Sequence, residues 1–162
     1  MRYVDRREAA VRATPEQAWR VVGRLGGDER FYAPVRLWRA RGAAERLLGG
    51  PGHRITGPGR PLRPGDEMDF WRVLEVDPPS RLRLRAESLL PGTARLDVLV
   101  EADGAGSRVA LRTEFEPAGA LGHAFWWAEL PAHRVVFALM ARRLAALVEG
   151  QPGLDGPPKL NR

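Results

Sequence analysis

The sequence predicts an α+β domain in which a curved antiparallel sheet wraps a long C-terminal helix. Three observations lead to this prediction. Residues 66–115 contain four segments in which polar and apolar residues alternate, which is the period of a half-buried strand. Short links rich in turn-forming residues join these segments and favour antiparallel pairing. A helical stretch follows at residues 120–149, and its apolar face would cover the apolar side of the sheet.

The length and composition fit one globular domain. The chain has 162 residues, of which 44% are hydrophobic, so a disordered protein is not expected. This length can bury a substantial core, and we place the domain at residues 1–150. The remaining stretch, QPGLDGPPKLNR, is rich in glycine and proline, so residues 151–162 are predicted to form a disordered tail.

The residue content excludes several kinds of site. Because the chain has no cysteine, it has no disulfide, thiolate zinc site or cysteine nucleophile. The three histidines, His53, His123 and His133, have no helical metal spacing, and we expect neither a metal nor a cofactor. No serine lies in a G-x-S-x-G turn, so a catalytic triad of that type finds no support.

Charge and hydropathy indicate partners and location. The net charge is +6, but the arginines are scattered rather than run together, so no nucleic-acid partner is expected. The N-terminal sequence MRYVDRREAAVRA lacks the apolar core of a signal peptide. The longest strongly apolar run, residues 135–141, is too short to span a bilayer. We therefore expect a cytoplasmic protein with no membrane span.

The elements before the sheet differ in how clearly they are encoded. Residues 5–13 predict a short first strand with weak alternation. In TPEQAWRVVGRLGG, Thr14 suits an N-cap, Pro15 the first helical position, and Gln17 completes a capping box before a terminating glycine pair. A second helical stretch is expected within residues 28–48. Residues 49–65 are too rich in glycine and proline for regular structure, which is typical of a lid or binding loop.

The four alternating segments each present one apolar and one polar face. They are DEMDFWRVLEV (66–76), RLRLRAES (81–88), ARLDVLVE (94–101) and SRVALRTEF (107–115). The polar faces carry charges of both signs, which we expect to form cross-strand ion pairs on a solvated surface.

The C-terminal helix contains an unusual stretch, HAFWWAELPAHRVVF. Adjacent residues on a helix point about 100° apart, so one apolar stripe would not bury both Trp126 and Trp127. Pro131 lacks an N–H and is expected to bend the axis, so that the two indoles find cover on different surfaces. We expect this region to close one end of an apolar cavity beneath the helix.

The order of elements resembles the START/polyketide-cyclase (SRPBCC) superfamily, whose fold is also called Bet v 1-like or helix-grip. The segments GDEMDFWRV, LLPGTARLDV and FEPAGALGHAFWWAELPAHRVVF resemble a branch of it without an established reaction. Members of that branch are often fused after an NAD(P)-binding epimerase-like domain. The resemblance covers most of residues 10–148 and implies a pocket for a hydrophobic ligand between sheet and helix. This chain has no GxGxxG after a strand, so no dinucleotide domain is expected here.

Arg72 is the first candidate for a polar contact inside that pocket. By strand alternation it shares a face with Met68, Phe70 and Leu74. If that face points inward, Arg72 could anchor a ligand carboxylate or enolate. The alternatives are an internal salt bridge or a bulge that turns Arg72 outward. If Arg72 points inward, Trp71 lies on the outer face, unless the register of the strand slips.

The tryptophan pair and His133 are further candidates. At least one indole could line the mouth of the pocket, or both could simply pack the helix on the sheet edge. Glu129 lies one helical turn before His133 and could orient its imidazole for acid–base chemistry, although a structural role for His133 is the alternative.

Three functions remain open from the sequence. The first is binding of a small hydrophobic or amphipathic ligand, with an acidic group as one option. The second is a cyclase or aldol-type enzyme that uses Arg72 and His133. The third is an interaction module for a separate oxidoreductase, and a homodimer is a further option. The expected ligand-binding residues are Phe70, Arg72, Leu82, Leu96, Val98, Phe115, Trp126, Trp127, His133, Val136, Phe137 and Met140.

Overall fold

The computed structural model describes residues 1–27, 31, 36, 42–43, 46–47, 49–50 and 56–150. Most of the helix predicted within residues 28–48, residues 51–55 of the predicted lid and the whole predicted tail lie outside the described residues. The described residues of the lid segment, 49–50 and 56–65, form irregular structure and turns, as its composition predicts.

A six-stranded antiparallel sheet forms the frame of the fold. Along the chain the elements are β1 (Tyr3–Val11), α1 (Pro15–Val22), β2 (Glu67–Met68), β3 (Trp71–Asp77), β4 (Arg81–Ala86), β5 (Gly92–Asp103), β6 (Gly106–Pro117) and α2 (Gly119–Glu149). The strand order is β1-β6-β5-β4-β3-β2, so the first strand pairs with the last. The predicted α+β class and the curved antiparallel sheet with a long C-terminal helix are confirmed.

Helix α1 begins where the sequence predicts. The Thr14 N–H donates to Gln17 Oε1 at 2.8 Å, and the Gln17 N–H reaches Thr14 Oγ1 at 3.4 Å, which completes the capping box. The helix ends at Val22, earlier than the predicted glycine pair. Gly23 caps it, and the Gly23 carbonyl accepts the N–H of Leu62, which ties α1 to the segment before β2.

Strands β4, β5 and β6 show the predicted alternation. Their inward positions form the core with α1 and α2, and the outward positions carry ion pairs. The most enclosed of these pairs involves Asp97, which accepts from Arg83 at 2.8 Å and from Arg112 at 3.4 Å. The outer charges therefore pair across strands, as expected from the polar face. The fully buried side chains of the sheet include Leu82, Leu84, Leu96, Val98, Val109 and Leu111.

Strand β3 departs from the predicted alternation, and this corrects the placement of Arg72. Asp69 has φ 58°, and its carboxylate accepts the backbone N–H groups of Thr56 and Gly27, so the chain turns sharply between β2 and β3. As a result Phe70 and Trp71 are both buried, and Arg72 points to the outer face. The prediction that Trp71 would face outward is therefore wrong.

A second irregularity occurs further along β3. The register with β4 shifts between Val73 and Glu75, which is a β-bulge. Val73 is buried while Leu74 is exposed, so the expectation that Leu74 shares the apolar face is wrong. The turn at Asp69 and the bulge after Val73 therefore interrupt the alternation of inward and outward side chains, which looks regular in the sequence.

Helix α2 lies across the inner face of β1 and β6. It continues without interruption through Pro131, although that residue cannot donate to the Trp127 carbonyl. Near its start, Gly122 lies so close to the Pro91 carbonyl that a Cβ there would approach within 2.4 Å. Gly122 therefore allows the helix to approach the β4–β5 connection. No helix among the described residues is long and apolar enough to cross a membrane.

Candidate functional site

A cavity of about 430 Å³ lies between the first half of α2 and one end of the sheet. The sheet side is formed where β3 begins, β4 ends, β5 begins and β6 ends. The lining is mostly apolar and aromatic, with a few polar groups. The lining residues are Phe70, Trp71, Ala86, Ser88, Leu90, Ala94, Arg95, Thr113, Glu114, Phe115, Phe125, Trp126, Glu129, Ala132, His133, Val136 and Phe137.

The residues expected to bind a ligand divide into three groups. Those that line the cavity are Phe70, Phe115, Trp126, His133, Val136 and Phe137. Those buried in the core away from it are Leu82, Leu96, Val98 and Met140. Arg72 and Trp127 lie on the outside. The cavity therefore occupies only the end of the apolar face near the N-terminal half of α2, because the rest of that face is filled by packed side chains.

The tryptophan pair divides between inside and outside. Trp126 is 7% exposed, whereas Trp127 is 61% exposed. Trp126 stacks on Tyr3 with ring centroids 5.0 Å apart and on Phe115 at 5.8 Å. Tyr3 and Phe115 face each other across β1 and β6, so they form a two-ring platform for the indole. Trp127 makes a T-shaped contact with Tyr3, with ring centroids 5.9 Å apart and 77° between planes.

A polar cluster stands at the edge of this apolar cavity. His133 Nε2 lies 3.1 Å from Thr113 Oγ1 on β6 and 3.5 Å from Asp5 Oδ2 on β1. The Asp5 carboxylate also accepts two hydrogen bonds from Arg7, at 2.9 and 3.0 Å. Asp5 and Thr113 face each other in the β1–β6 register. The strands therefore fix one side of the imidazole, while Phe137 stacks on the ring at 4.3 Å.

The environment of His133 favours its neutral form. Burial lowers the pKa of His133 below its ordinary value near 6.5, because desolvation penalises the imidazolium. The Asp5 carboxylate acts in the opposite direction, while the positive charges of Arg7 and Arg134 add to the lowering. Burial has the largest effect, so the ring is a neutral hydrogen-bonding group at neutral pH.

Arg72 takes no part in this cavity. It donates two hydrogen bonds to Glu87 and a further one to Glu67 at 2.9 Å. These contacts raise the pKa of Arg72, and they lower the pKa of Glu87, chiefly through the hydrogen bond between the two. Of the alternatives open from the sequence, the structure shows an outward-facing ion pair, and Arg72 and His133 do not share a site.

Several site residues were missed by the sequence analysis. Trp71 and Phe125 add aromatic walls, and Asp5 and Thr113 supply the partners of His133. Thr113 lies within the alternating segment 107–115, and its pattern does not mark it as a histidine partner. Asp5 lies in β1, whose less exposed positions include the charged residues Asp5 and Arg7, so no regular apolar pattern marks this strand. Glu129, the expected partner of His133, lines the same cavity.

The residues described by the structure contain no group of three His, Asp or Glu side chains that could hold a metal ion. The polar groups around the cavity are instead distributed singly or in ion pairs. The chemistry that this site can offer therefore rests on aromatic surface, one neutral imidazole and its hydroxyl and carboxylate partners.

Solved structures share this fold at low sequence identity. Norcoclaurine synthase from Thalictrum flavum is 18% identical, with a TM-score of 0.55, and the match covers 93% of this chain and 88% of that one. Protein NE0264 from Nitrosomonas europaea is 13% identical, with a TM-score of 0.51, and the match covers 90% and 94% of the two chains. At these identities the comparison shows the fold alone, and this is the Bet v 1-like helix-grip fold that the resemblance implies. The comparisons do not test the statement that members of that branch are often fused after an epimerase-like domain.

A search of curated proteins gave no match. The model of one protein family matches residues 1–140, and that family, DUF2867, is described as proteins of unknown function. The match spans β1 through most of α2 and so includes every residue that lines the cavity. The chain belongs to the DUF2867 family.

Proposed function

We propose that this protein binds a small apolar or amphipathic molecule in the cavity between α2 and the sheet. The observation that carries the proposal is a cavity of about 430 Å³, lined mainly by aromatic and aliphatic side chains, next to a core that is otherwise closely packed. Cavities of about 300 to 1,000 Å³ with apolar walls and a few polar groups are typical of small-molecule sites.

The walls favour a flat or ring-containing ligand. Phe70, Phe115, Trp126 and Phe137 present aromatic surface from both the sheet and the helix. Trp126 stacks on Phe115, and Phe137 stacks on His133, which restricts the orientation of these rings. Rigid aromatic walls need little ordering when a ligand enters, so burial of its apolar surface would translate into affinity.

The test is a titration with N-phenyl-1-naphthylamine, whose fluorescence rises in apolar surroundings. We expect saturable binding at one site in the unmodified protein. Val136 lines the cavity and is buried, while its neighbour Val135 is exposed on the outer face of α2. Val136→Trp should place an indole in the cavity and strongly weaken binding, and Val135→Trp, the matched control, should bind as the unmodified protein does.

Ala132→Phe provides a second way to fill the same cavity if Val136→Trp does not fold, because Ala132 also lines it. Circular dichroism would establish folding for each variant. Absence of saturable binding in the unmodified protein, or equal binding by all variants, would contradict the proposal.

A second candidate is an enzyme that transfers protons to or from a bound ligand. The observation that favours it is the contact of His133 with Asp5 and Thr113, which can orient a neutral imidazole as a base. The form of this hypothesis that combined Arg72 with His133 is not supported, since Arg72 lies outside the cavity. Exchange of the acidic C–H protons of 2-tetralone in deuterated buffer, measured with and without His133→Phe, would test it.

The interaction module has less support. It predicts exposure of both tryptophans, but only Trp127 is exposed, and the comparisons support neither an oxidoreductase partner nor a homodimer. We therefore retain ligand binding as the first proposal.

A further inference from the structure

The hydrogen bonds around His133 define which ring nitrogen carries the proton. Thr113 Oγ1 lies 3.4 Å from the Asp5 carbonyl oxygen, which can only accept, so the hydroxyl proton points there. The hydroxyl oxygen then accepts from His133 Nε2 at 3.1 Å. The Asp5 carboxylate, 3.5 Å from the same nitrogen, can only accept and therefore also favours a proton there. Both partners therefore place the proton on Nε2.

This arrangement leaves Nδ1 as an acceptor. In a neutral imidazole one nitrogen donates and the other accepts, and burial keeps this ring neutral by lowering its pKa. Nδ1 has no hydrogen-bond partner among the described residues. Among the described residues, the fully buried side-chain atoms without a hydrogen-bond partner are Trp71 Nε1 and Arg81 Nε. His133 Nδ1 is therefore not a fully buried atom without a partner. Because His133 lines the cavity, this lone pair is available to a bound molecule.

The charges around the cavity disfavour an anionic ligand. Arg7 is paired with Asp5, and Arg95 lies 3.6 Å from Glu116 on the outer face of the sheet. No arginine among the described lining residues is thus left to receive a carboxylate, and a buried anion without a partner is costly.

We propose that the cavity selects an uncharged aromatic molecule that carries a hydroxyl group, which donates a hydrogen bond to His133 Nδ1. This inference rests on the proposed ligand-binding function and narrows it to one chemical class. Asp5 and Thr113 act through His133 as positioning residues, because they hold its proton on Nε2. The acidic ligand considered from the sequence is thereby replaced by a neutral one, since the arginine expected to hold it lies outside.

The experiment measures displacement of N-phenyl-1-naphthylamine by three related compounds: naphthalene, 2-naphthol and 2-naphthoate. In the unmodified protein at neutral pH, 2-naphthoate should bind at least about tenfold more weakly than 2-naphthol. The affinity ratio of 2-naphthol to naphthalene should fall about three- to tenfold in His133→Phe, which is the range of one net hydrogen bond. This ratio cancels general effects of the substitution on packing.

His123→Phe is the matched control. His123 is also on α2, and its Nδ1 forms a hydrogen bond of 2.8 Å with the Tyr3 hydroxyl. It does not line the cavity. This variant should keep the ratio of the unmodified protein. The comparison of 2-naphthol with 2-naphthoate needs no substitution, so it remains decisive if His133→Phe does not fold.

The outcomes separate this inference from the proposed function. Tighter binding of 2-naphthoate than of 2-naphthol, or an unchanged ratio in a folded His133→Phe variant, would overturn the inference and leave ligand binding intact. If the unmodified protein binds neither the fluorescent probe nor any of the three compounds, both proposals are wrong.

Discussion

His133 on α2 and Thr113 on β6 are joined by a hydrogen bond of 3.1 Å at the edge of an apolar cavity. Sequence separates these residues by 20 positions, but the helix that crosses the sheet brings them together. The contact holds the imidazole against the strands and leaves its other edge toward the cavity. It is therefore both a structural link between helix and sheet and the basis of the proposed polar contact.

Thr113→Val tests that link. Valine has nearly the same shape but cannot accept from Nε2, so we expect a loss of about 1 kcal/mol in the free energy of unfolding, measured by urea denaturation. Thr113→Ser keeps the hydroxyl, so most of the free energy of unfolding that is lost in Thr113→Val should be retained in this variant. Equal stability of the valine and threonine proteins would show that the hydrogen bond contributes nothing.

The protonation of His133 predicts a dependence of stability on pH. Its folded-state pKa is lowered, so the unfolded chain binds this proton more tightly. The free energy of unfolding should therefore be highest above pH 6.5 and should fall as the pH drops from there toward the lowered folded-state pKa. Asp5, Arg7 and Arg134 are charged groups that act on the ring, and Glu129 and Glu114 line the same cavity.

Urea unfolding at pH 7.5 and pH 5.5, for the unmodified protein and His133→Phe, measures this effect. The variant should lose less stability than the unmodified protein over this interval. A steeper loss in the variant would mean that the histidine is stabilised in its charged form, contrary to the burial seen here.

The two tryptophans should differ sharply in their contribution to stability. Trp126→Ala removes a buried indole from its contacts with Tyr3 and Phe115, and we expect a loss of about 3 to 5 kcal/mol in the free energy of unfolding. Trp127 is largely exposed, so Trp127→Ala should cost about 0.5 kcal/mol or less. Denaturant titration of both variants compares them directly. Similar losses for the two would contradict the observed division between inside and outside.

Arg72 is expected to have no influence on ligand affinity. Its guanidinium is bound to Glu87 and Glu67 on the outer face. Arg72→Gln should therefore leave the dissociation constant for N-phenyl-1-naphthylamine unchanged. A large loss of affinity in a folded variant would show that Arg72 contributes to ligand binding.

The sequence predicted the parts of the fold that depend on regular periods. Strands β4 to β6 alternate because each has one face on the core, and α1 is marked by its Thr14 and Gln17 capping box. Strand β3 could not be predicted correctly, because the positive φ of Asp69 and the bulge after Val73 are local backbone features without a periodic signal.

The candidate site was predicted only in part for a similar reason. Aromatic residues such as Phe115 and Trp126 follow from the apolar faces of strand and helix. The pairing of Asp5 with His133 depends on the β1–β6 register and on where α2 crosses it, which are relations between distant segments. Asp5 is a charged residue at an inward position of the edge strand β1, so the alternation of apolar residues does not identify it as part of the site.

A crystal structure determined under xenon pressure tests the cavity most directly, because xenon enters apolar cavities that are large enough to hold it. We predict a xenon atom bounded by Phe115, Trp126 and Phe137. A crystal structure in which side chains of the protein fill this space, and no xenon binds there, would contradict the proposed ligand site.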